Sequence, residues 1–142
     1  MRLRRGRGRR TVSEKTDALI RTVSSAHLAY LGDAVFEVFV RERLVKEGVK
    51  SPSVKSLEYV TAAAQSAAAD RLEPLLTGEE KDVLRRGRND VHTGVPKSAR
   101  PAEYRRATGL ESLFGYLFLT DQTKRAAELF DTAFPRENKE GE

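Results

Sequence analysis

Apolar residues recur at three- and four-residue spacing along most of this 142-residue chain, and no stretch alternates with period two, so the pattern predicts an all-α domain. The strongest segment runs from about Ala26 to Glu47 and is ended by Gly48. Leu28, Leu31, Val35, Val38 and Phe39 form one apolar stripe, and Ala29, Phe36, Val40 and Leu44 form a second, with Asp33 set within it. A helix apolar on two faces is buried on two faces, and in so short a chain the second is expected to meet another subunit.

Other helices follow from their start and stop signals. A short one is expected at Ser13 to Val23, and Ser51-Pro52 should cap another running to about Leu76, with a break at Pro74. Within it, six alanines between Thr61 and Ala69 suit close helix packing. Thr77-Gly78-Glu79-Glu80 matches a capping box ahead of a helix ending at Gly87. Arg85 to Pro101 reads as a loop rich in glycine, proline and cations, and helices are expected over Glu103 to Thr120 and Asp121 to Phe134.

Two carboxylates break the pattern. Asp33 and Glu111 each lie alone in an apolar helical stretch, where a charge needs a cation or several hydrogen-bond donors beside it. The residues alone leave two readings: a structural ion pair with arginine, or a shared metal ion. Gly115 lies one turn beyond Glu111, and a glycine inside a helix costs about 1 kcal/mol against alanine, which points to close approach of another backbone or a ligand.

Composition narrows the chemistry. The chain has no cysteine and only His27 and His92, so there is no thiolate site, and oxygen ligands favour magnesium (Mg2+) or manganese (Mn2+) over zinc. His27 reads as a packing or hydrogen-bonding residue and His92 as a loop residue touching solvent or phosphate. No apolar run approaches the roughly 20 residues that span a bilayer, and the N-terminus lacks the apolar segment of a secretory signal. A cytoplasmic protein is expected, or an organellar one if the basic start is a transit segment.

The formal charge is +5, with six arginines in Met1 to Arg10 and a net acidic end. A polyanion is the natural partner. Residues 1–12 read as a basic disordered arm, 13–135 as one domain and 136–142 as an acidic disordered tail. Arg85, Arg86, Arg88, Asn89 and Lys97 in the loop, with Arg105 and Arg106 beside it, suit contact with a phosphate backbone.

Leu28-Ala29-Tyr30-Leu31-Gly32-Asp33-Ala34-Val35-Phe36-Glu37 resembles the signature helix of the ribonuclease III catalytic domain, and Thr108-Gly109-Leu110-Glu111-Ser112-Leu113-Phe114-Gly115 resembles its second acidic motif. Many members have a glutamate where this chain has Ala29, and an aspartate where it has Thr108. These departures, the string Arg85-Arg86-Gly87-Arg88-Asn89 and the absence of a double-stranded-RNA-binding domain resemble the Mini-ribonuclease III branch.

The resemblance, over about Ser25 to Phe134, implies a dimeric all-α fold and magnesium-dependent cleavage of double-stranded RNA. It also implies maturation of large-subunit (23S) ribosomal RNA precursor, with 5′-phosphate and 3′-hydroxyl product ends. Asp33 and Glu111 then carry the catalytic metal site, and Glu37 and Thr108 are candidates for its surroundings, though Glu37 can instead pair with Arg41. Ala29 and Thr108 also allow a silent relative that binds structured RNA during ribosome assembly, and a helical protein-interaction domain is a third reading.

Overall fold

The computed structural model describes residues 18, 21–91, 95–97 and 100–136. The arm over 1–12, His92 and the tail after Arg136 lie outside the described residues; of the helix expected at Ser13 to Val23, Ala18, Arg21 and Thr22 are helical. The described chain has no strand. Its helices are α1 (Ser25–Lys46), α2 (Pro52–Lys55), α3 (Leu57–Val60), α4 (Ala62–Leu72), a 3-10 turn (Glu73–Leu75), α5 (Gly78–Asn89), α6 (Pro101–Leu119) and α7 (Thr123–Ala133).

Local chemistry sets most of these ends. The Ser24 hydroxyl caps α1 by accepting from the His27 amide at 3.1 Å. Its C-terminus closes as a Schellman motif: Gly48, at φ 66°, donates to the Val45 carbonyl at 3.1 Å and Val49 to that of Leu44 at 3.2 Å. At the start of α5 both capping-box bonds form, Glu80 amide to Thr77 hydroxyl at 3.2 Å and Thr77 amide to Glu80 carboxylate at 2.9 Å.

The segment expected as one helix from Ser51 to Leu76 is instead broken into α2, α3 and α4. Thr61 is extended and caps α4 through the Ala64 amide at 3.2 Å, so the helix restarts there, and Pro74 lies in the 3-10 turn that ends it. At the other end of the basic segment, α6 begins at Pro101, where proline's missing amide does no harm.

The core forms around α6, whose Leu110, Leu113, Phe114, Tyr116 and Leu117 are all buried, with α1, α5 and α4 packed against it. Phe36 of α1 meets Phe114 edge-on at 5.5 Å between ring centroids and Phe130 of α7 at 5.6 Å. Two buried charges fasten α7. Arg43 bonds Asp131 at 2.8 Å and the Phe134 carbonyl while its guanidinium lies 4.7 Å from the Phe130 ring centroid. Arg125 grips both oxygens of Glu80, at 2.9 and 3.0 Å. Burial works against Glu80 ionising, but bonds from Arg125 and Thr77 win and hold its carboxyl below its usual range.

The face of α1 assigned to a second subunit proves to be core. Phe36, Val40 and Leu44 are each 1% exposed, and Ala29 is buried too. The exposed large apolar residues lie elsewhere and include Val38 and Val45 of α1, Val54 of α2, Leu57 of α3, and Phe118 and Leu119 of α6. Val45 lines a groove of about 310 Å³ whose walls also include Val40, Leu44, Pro52 and Val60. No helix among the described residues is long and apolar enough to cross a membrane.

Candidate active site

Helices α1 and α6 touch backbone to backbone at Gly32 and Gly115. A Cβ on Gly32 would overlap the Glu111 carbonyl oxygen, and one on Gly115 would overlap that of Leu28. Only glycine permits this approach. Because Asp33 follows Gly32 and Glu111 precedes Gly115 by one turn, the crossing brings both carboxylates to one cavity of about 290 Å³.

Electrostatics within the pair are unbalanced. Burial first, then the Asp33 charge and a hydrogen bond shared with Asp33, push the Glu111 carboxyl up to about 8. Asp33 itself is exposed to solvent rather than buried as its apolar setting suggested. Neither acid has a lysine or arginine partner among the described residues. Two adjacent carboxylates, one of which keeps its proton well above the usual carboxylate range, form a donor set that a bound cation would favour in its ionised form.

Thr108 lines the same cavity, but its hydroxyl donates to the Tyr104 carbonyl at 2.9 Å. Glu37 does not reach the cavity. It pairs with Arg41 at 3.4 Å and lines the apolar groove, because the four residues separating it from Asp33 carry it a full turn along α1. Asp90 does line the cavity, where it accepts from Ser25 Oγ at 3.1 Å; the sequence reading missed it among the cations around it. It stands apart from the acid pair, since no three acidic or histidine side chains among the described residues are placed to share one ion.

The candidate RNA-binding residues divide. Arg85, Arg86, Arg88 and Asn89 are on α5, not in a loop: the helix continues through Gly87, where a Cβ would come within 2.7 Å of the Ser112 Cβ and 3.0 Å of the Gly109 Cα. Gly87 is thus a second helix contact and not a stop. Arg85 pairs with Asp82 at 3.0 Å, and Arg88 Nε donates to Asn89 at 3.4 Å. Arg106 ties α6 to α4 through Ser66 at 3.3 Å and Asp70 at 3.2 Å. Arg86, Lys97 and Arg105 are exposed and have no ion pair among the described residues. His27 is exposed rather than packed.

A helical domain in which a glycine crossing sets an aspartate against a glutamate defines the ribonuclease III class of endonuclease, and the ribonuclease III domain model matches residues 26–122. A Mini-ribonuclease 3 from Symbiobacterium thermophilum is 50% identical over 115 residues, covering 79% of this chain and 88% of its own. One from Gloeobacter violaceus is 47% identical over 107 residues, covering 74% and 78%. A crystal structure of a Fusobacterium nucleatum protein matches with a TM-score of 0.72 at 28% identity, covering 80% of this chain and 93% of that one. The chain belongs to the ribonuclease III family, in its Mini-ribonuclease III branch, and is an endoribonuclease of that type.

Proposed function

We propose that this endoribonuclease cleaves double-stranded RNA with Mg2+, or Mn2+, held by Asp33 and Glu111, and that it matures the ends of 23S ribosomal RNA precursor in the cytoplasm as a homodimer. The observation carrying this reading is the convergence of the two acids in one cavity that no arginine lines among the described residues. Their donor set is all oxygen, which fits Mg2+, an ion that keeps several waters and takes one or two carboxylates plus substrate phosphate. The ribosomal substrate rests on resemblance to the Mini-ribonuclease III branch.

When bound, the ion supplies Lewis-acid polarisation of the scissile phosphate and lowers the pKa of the attacking water. The protein's own contribution is placement. Glu111, on rigid α6, must release its proton to become a ligand, and Asp33 on the solvent side completes the pair. Arg86, Lys97 and Arg105 are the free cations that can hold phosphates of an A-form duplex, with little sequence preference. Thr108, which lines the cavity and spends its proton on the Tyr104 carbonyl, keeps only acceptor capacity on its hydroxyl.

A two-fold dimer would present one site to each strand. Its surface is the apolar groove with Val38, Val45, Val54 and Leu57, which expose 61%, 76%, 68% and 56% of their area. Incubating 23S precursor duplex with Mg2+ and wild type, D33N or E111Q tests the assignment. Cleavage by wild type alone is expected, and equal cleavage by all three would overturn it. Sedimentation of wild type beside V45E tests the dimer, with the variant expected to run as a monomer.

A further inference from the structure

Two tyrosines line the same cavity as the acids. Along α1 the residues lining it are Ser25, Ala26, Ala29, Tyr30 and Asp33, and along α6 they are Tyr104, Thr108 and Glu111. Each helix therefore presents one tyrosine and one acid to the same space, with both tyrosines on the N-terminal side of the acids in their own helix. Tyr30 is 83% exposed, and neither phenol hydroxyl has a hydrogen-bond partner among the described residues.

An unpaired phenol at the mouth of a catalytic cavity needs a reason. It does not serve the fold, because the Tyr30 ring packs on almost nothing. A phenol can donate to a phosphate oxygen, but that contact would leave its acceptor and its ring face unused. A phenol offers an apolar ring face and a hydroxyl that both donates and accepts. A ribose offers the matching pair, an apolar sugar face and a 2′-hydroxyl that donates and accepts, and the wide minor groove of A-form RNA displays that hydroxyl while base edges stay stacked.

Distance agrees with this. Tyr30 precedes Asp33 by three residues, or about 4.5 Å of helix rise, and lines the same cavity, which sets it one turn from the acid that would face a phosphate. Tyr104 precedes Glu111 by seven, about 10.5 Å of rise, and lines the same cavity. Building on the double-stranded RNA reading, we infer that Tyr30, supported by Tyr104, binds a ribose 2′-hydroxyl beside the scissile phosphate and makes the cavity select RNA over DNA in the strand being cut.

The test pairs wild type, Y30F, Y30A and Y104F with RNA duplexes carrying single 2′-deoxy nucleotides on each side of the cut. Wild type should lose roughly fivefold to tenfold in kcat/KM at one such position, the size of one hydrogen bond. Y30F should lose the same on all-RNA duplex and nothing further on the deoxy duplex, whereas Y30A should lose more on both. Tyr30 is exposed enough that neither variant disturbs folding. Additive losses, or Y30F behaving as wild type throughout, would overturn the inference.

Equilibrium binding of the same duplexes in EDTA separates this outcome from the catalytic reading. If wild type does not cut RNA, the proposed function falls. A deoxy penalty on binding that Y30F abolishes would still support the tyrosine contact, and its absence would end it.

Discussion

Replacing Glu111 with glutamine should make the metal-free protein more stable while abolishing its cleavage. Burial and the Asp33 charge raise the Glu111 carboxyl from 4.5 to about 8. The folded protein therefore holds a proton there that the unfolded chain releases. Stability from this group is intact below pH 4.5, declines as pH rises towards 8, and is lowest above it. At pH 7 the difference spans about 2.5 units, and at about 1.4 kcal/mol per unit the cost is roughly 3 kcal/mol. Glutamine keeps the shape, carries no charge and can donate to Asp33.

Urea unfolding of both proteins in EDTA from pH 5 to pH 9 measures this directly. The stability gap between E111Q and wild type should widen from pH 5 to pH 8 and then level off. Other carboxylates titrate in both proteins and cancel in the difference. Millimolar Mg2+ should then raise the unfolding midpoint of wild type and leave E111Q unmoved, because only wild type gains a folded-state ligand. Parallel pH curves together with equal Mg2+ responses would refute the electrostatic argument for this site.

Three further outcomes follow from the same geometry. R86A and R105A should each weaken RNA binding across all duplex sequences and lower the salt dependence by about one phosphate contact, whereas R106A, whose partner is Asp70, should cost under about 1 kcal/mol of stability in urea melts and leave the salt slope alone. G115A forces a methyl into the Leu28 carbonyl and should cost about 3 kcal/mol or more, with cleavage lost in the fraction that stays folded. Deleting residues 2–10 removes six arginines, taking the formal charge from +5 to −1, so KM should rise and the salt slope fall while kcat holds; an unchanged KM would show the arm to be idle.

Much of this molecule can be read from its local pattern. The capping box at Thr77, the glycine stop at Gly48 and the helical spacing of α1 and α6 all act within a few residues of chain, and each forms as expected. Gly87 shows the limit of that reading. Its sequence context matches a helix stop, yet Ser112 and Gly109, distant in sequence, make it a packing site and extend α5 to Asn89. Arg106 shows the same limit, since its basic neighbourhood suggests a phosphate contact and only Asp70, across the fold, removes it from the free cations.

The sequence by itself determined that the chain is helical, several of its helix ends, that no thiolate site is available, and that two acids occupy apolar stretches, because periodicity, capping and composition are carried by the chain over short range. Tertiary structure decided that those acids meet, that the Phe36 face is core and the Val45 face is open, and that Asp90 and two tyrosines share the cavity. The reason is backbone proximity: Gly32 and Gly115 let two helices approach without side chains between them, and the direction in which neighbouring residues then point depends on that crossing.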